Sequence, residues 1–225
     1  MSDNLMLQSL GFDIGVALSG LFWTIAYVLI IRQGFRDKTY GMPVVALCGN
    51  ISWEFTVAFI APLPGILQTI SYVWFFIDTV IVYQVLRYGP SQFPGISPRL
   101  FYGMFGLTLV AAFFGILLLN QMFHRYYHDN WAIYTGFADA LMMAGLFLSM
   151  LHNRSSTSGQ SVPIAVCMFL GNATSIAWLV TPPPQLEGSA LQVYLIGATT
   201  TLNLIYGIAL WRVRGRINAV DFAAV

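Results

Sequence analysis

Seven apolar runs, each about the length of a bilayer crossing, alternate with short polar segments along the chain. They run approximately from Phe12 to Ile31, Met42 to Ala61, Ile66 to Arg87, Leu100 to Asn120, Trp131 to Leu151, Val162 to Thr181 and Ala190 to Trp211. A helix of about 20 apolar residues spans the hydrocarbon core, where each backbone polar group must be satisfied within the segment. Charge, Pro or Gly bounds every run. "APLPG" (Ala61–Gly65) and "TPPPQLEG" (Thr181–Gly188) cannot continue a helix. The pattern predicts an all-α membrane protein of seven transmembrane helices, one domain over residues 1–225, with no room for a separate soluble domain.

Composition sharpens this picture. The chain is 57% hydrophobic and 8% charged, against about 25% charged in soluble domains. Net charge is +1, which gives nothing for a nucleic acid to bind. Met1–Leu10 carries Asp3 and no basic residue, so the first apolar run is expected to stay as a span rather than be cleaved. Cys48 and Cys167 both fall in apolar runs and read as small buried hydrophobes. The basic residues set an orientation. Arg32, Arg36, Lys38, Arg87, Arg99, Arg154, Arg212, Arg214 and Arg216 fall on one side of the seven spans, and Arg125 alone falls on the other. The positive-inside rule then places the N-terminus outside or lumenal and the C-terminus in the cytoplasm.

The first three helices resemble the last three. "SGLFW" from Ser19 echoes "AGLFL" from Ala144, Pro43 is matched by Pro163, Gly49-Asn50 by Gly171-Asn172, and Asp78 by Asn203. These offsets are 125, 120, 122 and 125 residues. The consistent register predicts a 3+1+3 parallel repeat, with units at approximately 12–89 and 131–213 and a linker helix at 100–120. Such proteins often hold their site at the repeat interface near the midplane.

Ionisable residues inside a span are costly and mark function by default. Glu54, Asp78 and Asp139 qualify, and no Lys or Arg lies deep in any span to neutralise them. Glu54 lies toward the outer end of helix 2 and Asp139 about two turns into helix 5, with Asp78 and Asn203 near mid-membrane. One cavity open to the outer half would collect all four. Asn50 lies one turn before Glu54 and shares its face, while Trp53 projects to the edge of that face. Without a cation nearby, desolvation favours the protonated acid, and a neutral carboxylic acid is a proton donor. Asn50, Asn172, Thr174, Asn203 and Tyr206 are polar partners for such a network, and Asn203 and Tyr206 share a face of helix 7. Most span aromatics, among them Trp23, Trp53, Trp74, Trp178 and Tyr206, are expected to be packing. A few lining a cavity beside an acid would steady a carbocation through their ring quadrupoles. In "HRYYHD", His124 and His128 stand four apart beside Asp129; polar packing at the membrane edge is a better reading than a metal site.

At "GNISWEF" (Gly49–Phe55) and "WFFIDTVIVYQVLRYG" (Trp74–Gly89), continued by "GLFLSMLHNRSSTSGQS" (Gly145–Ser161), the sequence resembles the integral-membrane terpene cyclases of meroterpenoid and indole-terpenoid biosynthesis. These are fungal seven-helix enzymes with bacterial relatives, and the number, order and length of spans agree. The resemblance implies a hydrophobic prenylated substrate, aromatic, polyketide or indole, held among membrane lipid. Its epoxide or terminal alkene is protonated, and a cation cascade closes rings without metal or other cofactor. No DDxxD-type metal motif is present. The resemblance makes Glu54 the essential acid. The family's second acid, in the last helix, is matched by Asn203, a departure that leaves Asp78 or Asp139 to supply it. From the polar and aromatic positions in the spans, Asn50, Trp53, Trp74, Asn172 and Tyr206 are expected to bind substrate.

Two other classes share seven helices. A small sugar transporter has the same 3+1+3 arrangement, but the one Pro-Gln pair, Pro184-Gln185, falls in the "TPPPQLEG" turn outside the spans, and the acid lies beside Trp rather than at a gate. A retinal protein needs a lysine in the last helix, and the only lysine is Lys38, in a loop.

Overall fold

The apolar runs become helices, and their order along the chain is kept. The computed structural model describes residues 2–130, 132–154, 156–180 and 187–223, with side chains from 12 to 215 among these. The helices are α1 (Ser2–Asp37), α2 (Val44–Phe55), α3 (Ile66–Gln92), α4 (Pro98–Tyr127), α5 (Ile133–Arg154), α6 (Val162–Thr174), α7 (Ala177–Val180) and α8 (Ala190–Ala223). A π-helical turn, Thr56–Ile60, extends α2, and the short α7 continues the sixth rod after a break, so the helices make seven rods. Six stretches are long and apolar enough to cross a membrane, and Val44–Ile60 is a shorter apolar rod. The protein is therefore a multi-pass membrane protein. The expected helix start at Trp131, most of the "TPPPQLEG" turn and the side chains of Arg216 and Asp221 lie outside the described residues.

Turn chemistry fixes the rod ends. Pro43 is the N-cap of α2, and Pro163 lies in the first turn of α6, where a missing N–H costs nothing. Ser97 caps α4, its Oγ accepting from the Leu100 N–H at 3.3 Å. Gly65 precedes α3 at φ +60°, a backbone state that glycine adopts without a Cβ penalty. The Asp129 carboxylate accepts from the N–H groups of Ile133 and Tyr134 at 3.1 and 3.0 Å, which starts α5. The "HRYYHD" segment thus has a structural role, because His128 ends α4 in the left-handed conformation and Asp129 begins α5.

Two rods depart from the continuous helices that periodicity predicts. In the second, the Ser52 hydroxyl donates to Cys48 O and the Thr56 hydroxyl to Ser52 O. The Ala61 N–H then reaches back five residues to Thr56 O at 2.8 Å, the bond that defines a π turn. In the sixth, the hydroxyls of Thr174 and Ser175 bond carbonyls at Leu170 and Gly171, and the helix breaks before α7. Hydroxyl back-bonding of this kind loosens the carbonyl ladder and bends helices.

α1 packs on α6 and α3, α2 on α3, α4 and α5, and α8 on α5 and α6. α4 faces outward, with Leu107, Val110, Phe114 and Leu118 exposed, as a lipid-contacting helix should be. The core between the other rods includes Ile30, Leu47, Met143, Phe147, Met168 and Leu210, all buried.

One end of the bundle is knit together. Arg154 Nη1 donates to Tyr40 O (3.1 Å) and Ser158 O (2.9 Å), and its guanidinium lies 4.3 Å over the Tyr40 ring. The Gly159 N–H donates to Asp37 Oδ2 at 2.8 Å. These bonds join the α1–α2 and α5–α6 loops. Replacing Arg154 by Ala is expected to cost about 2–3 kcal/mol, from two charge-assisted hydrogen bonds and a cation–π contact. Lys, which lacks the planar fork, should recover only part of it. Thermal melting of the two variants in one detergent measures both effects.

Candidate functional site

Asn50 is the hub of the buried polar groups. Its Nδ2 lies 2.7 Å from Asp78 Oδ2, 2.8 Å from Glu54 Oε1 and 2.8 Å from Tyr27 Oη. Two amide hydrogens serve two of these acceptors at a time. The Tyr27 hydroxyl donates in turn to Glu54 Oε1 at 3.2 Å. Helical spacing explains why α2 contributes two members, since Asn50 and Glu54 are four apart. α1 contributes Tyr27 and α3 contributes Asp78. Glu54 and Asp78 are both 0% exposed, with no cation against either among the described residues.

Each carboxyl group in this region has one oxygen to spare. Glu54 Oε2, Asp78 Oδ1 and Asp139 Oδ1 are buried without a hydrogen-bond partner among the described residues. Buried polar atoms are normally paired, so three such oxygens in one region make it a candidate site. Asp139 approaches from α5 because position 49 is glycine: a Cβ there would stand 2.7 Å from Asp139 Oδ1. Its twin, Gly171, seats the Trp23 ring, which a Cβ would meet at 2.7 Å. The two Gly-Asn pairs are thus close-approach points, one for an acid and one for an indole.

A cleft leads from the α2–α3 turn, the end opposite the knit loops, down to this group. It encloses about 850 Å³, its mouth included. Trp23, Trp53, Trp74, Trp178 and Phe137 form aromatic walls, and Tyr27, Asn50, Asp139 and Asn172 supply its deep polar surface. An apolar cleft with few convergent polar groups is the usual form of a small-molecule site. The indoles are fixed. Trp53 Nε1 donates to Thr135 Oγ1 at 3.1 Å, and the Thr135 hydroxyl bonds Asn120. The Trp53 ring lies over Gly136, where a Cβ would come within 2.9 Å of it. Trp74 Nε1 donates to Thr24 Oγ1 at 3.0 Å, and the Trp74 ring meets Tyr27 edge-on.

The structure brings Glu54, Asp78, Asp139, Asn50, Trp53, Trp74 and Asn172 to one region, and separates two residues from it. Asn172 Nδ2 is engaged by Met168 O at 3.1 Å. Tyr206 is fully buried but points its hydroxyl to Gln160 Oε1 at 3.0 Å, toward the knit end, with its ring against Phe147. Asn203 is also fully buried, yet does not line the cleft, and both its amide atoms lack partners among the described residues. The expectation of one cavity collecting all four residues is therefore corrected: only Asp139 lines the cleft, Glu54 and Asp78 are buried against the lining residues Asn50 and Tyr27, and Asn203 lies apart. α8 packs on α5 and α6, which sets the shared face of Asn203 and Tyr206 behind the cleft wall. Tyr27 is the residue that sequence reasoning missed. Its only sequence signal is its position four residues after Trp23, on the same face of α1.

The chain is 33% identical over 202 residues to the "Pyr4-family terpene cyclase mfmH" of Annulohypoxylon moriforme, covering 85% of this chain and 81% of that one. It is 29% identical over 218 residues to "Terpene cyclase ascF" of Acremonium egyptiacum, covering 87% and 79%. It is 39% identical over 96 residues to "Terpene cyclase macJ" of Penicillium terrestre, covering 42% and 36%. No solved structure matches the chain. Residues 6–216 match the family described as "Pyr4-like transmembrane terpene cyclases", and the chain belongs to that family.

Proposed function

We propose that this membrane terpene cyclase protonates the terminal epoxide or alkene of a farnesyl-type chain carried on an aromatic, polyketide or indole head, with Glu54 as the Brønsted acid. One observation carries the reading. Glu54 is wholly buried, its Oε1 is held by Asn50 and Tyr27, and its Oε2 has no partner among the described residues. Two carboxyl groups that share one amide resist simultaneous ionisation, which favours a neutral acid in the pair.

The chemistry balances as an isomerisation. The proton of Glu54 passes to the epoxide oxygen or alkene carbon, and the C–O or π bond breaks. Successive alkenes form C–C bonds to the cation, and the last cation loses a proton. Trp23, Trp53 and Trp74 supply ring faces that stabilise positive charge without capturing it. Asp78 takes the part of the second acid, behind Asn50, and Asp139 faces the cation from α5. Asn50 and Asn172 hold polar atoms of the substrate head. Asn203 and Tyr206 act through the packing of α8 rather than by touching substrate. In this reading neither metal nor cofactor takes part.

The 3+1+3 parallel repeat belongs to the same reading. The pairs α1 with α3, α2 with α3 and α1 with α6 have counterparts in α5 with α8, α6 with α8 and α5 with α2. The N-terminus is placed outside or lumenal, with the chain in the endoplasmic reticulum of a fungus or the plasma membrane of a bacterium. Family membership favours the cyclase over the seven-helix transporter.

The test is expression in a host supplied with epoxidised and non-epoxidised farnesyl-aromatic precursors. Cyclised products of unchanged mass are expected from one precursor class, with no flux of either precursor into liposomes. Unreacted precursors together with measurable flux would overturn the proposal in favour of transport.

A further inference from the structure

A second cleft opens at the knit end, between α1, α8 and the start of α6. It encloses about 930 Å³, its mouth included. Arg32 and Arg36 of α1 and Arg214 of α8 stand around it, over Leu29, Val162 and Leu210, and no acid is among the described residues that line it. Arg36 pairs with Asp37 at 3.2 Å. Asp37 is further occupied by Gln33 and the Gly159 N–H. Arg32 and Arg214 are exposed and have no carboxylate partner among the described residues.

Two donor features face the same space. Ser161, Val162 and Pro163 line the cleft at the N-terminus of the 13-residue α6, and Ser161 provides no side-chain cap. Helix N-termini concentrate positive potential and attract phosphate. Gln160, only 2% exposed, also lines the cleft. Its Oε1 is taken by the Tyr206 hydroxyl, while its buried Nε2 has no partner among the described residues. An unpaired buried donor is costly, and an anion in the cleft would satisfy it.

We propose that this cleft binds a phosphate group presented by an anionic lipid headgroup. The phosphate oxygens sit between Arg32 and Arg214 and accept from Gln160 Nε2 and the α6 terminus. The apolar residues beneath the arginines fit the glycerol and the first acyl carbons, which free phosphate would leave unused. Basic clefts between helices at a membrane surface recognise lipid phosphates in this way.

The full chain in phosphatidylcholine nanodiscs, with or without a minor fraction of phosphatidic acid, tests the proposal. Native mass spectrometry reads the lipids retained, thermal melting reads stabilisation, and inorganic phosphate is titrated separately. The wild type should retain phosphatidic acid in preference to phosphatidylcholine and melt higher with it. Arg32→Gln/Arg214→Gln, which alters exposed side chains only, should weaken retention by about tenfold or more. Gln160→Glu should weaken it as well, and if that variant does not fold, the double arginine variant alone decides. Equal retention by wild type and double variant would overturn the site. Protection by inorganic phosphate without lipid preference would overturn the lipid assignment.

Discussion

Glu54→Gln is expected to leave a folded membrane protein whose cyclisation rate has fallen by about 10²–10⁴, the range for removing a positioned acid. Gln keeps the length of the side chain and an oxygen to accept from Asn50 Nδ2 and the Tyr27 hydroxyl, so the fold should survive. What Gln lacks is a transferable proton. Glu54→Asp keeps the proton but draws it back by one methylene, so it should retain a fraction of the rate. The measurement is cyclised product per unit of monodisperse protein. A Gln variant with undiminished turnover would remove Glu54 from the role of acid.

Asn50→Leu should be nearly as damaging, by a different route. Leu fills the volume but removes the donor shared by Asp78, Glu54 and Tyr27. Each buried group left unsatisfied costs about 1–3 kcal/mol, so a lower melting temperature accompanies the loss of activity. Asn50→Asp should fare worse, because it adds an acidic group to two others in a space without a cation. Melting curves and product yields of the two variants separate the positioning of the acids from simple packing. Wild-type activity in Asn50→Leu would show that the bridge is dispensable.

The membrane made much of this legible from sequence. A hydrocarbon solvent forces backbone polar groups into helices, so the seven rods could be read from apolar length. The same solvent makes every intramembrane charge conspicuous, which is why Glu54, Asp78 and Asp139 stood out. Asn50 followed from its helical spacing to Glu54. Tyr27 was not legible, because one tyrosine among many span aromatics breaks no rule. The π turn after Phe55 and the break after Thr174 were hidden for a related reason. Neither has Pro or Gly at its centre, and both carry hydroxyl bonds to carbonyls that sequence periodicity does not weigh. Asn203 and Tyr206 do share a buried face. Which neighbours that face meets depends on how α8 pairs with α5 and α6, a tertiary fact that one helix cannot announce.

The two oxygens of Glu54 are unlike, and that inequality bears on recharging between turnovers. Oε1 is held by groups on two helices, and both are donors whichever state the carboxyl is in. Neither Asn50 nor Tyr27 must reorient when the proton leaves, because the carboxylate accepts the same hydrogens that the acid did. If Glu54 is the acid, its proton therefore departs from and returns to Oε2, on the same edge of the carboxyl group each time. A substrate is then addressed by one oxygen only, the one that the amide of Asn50 leaves free.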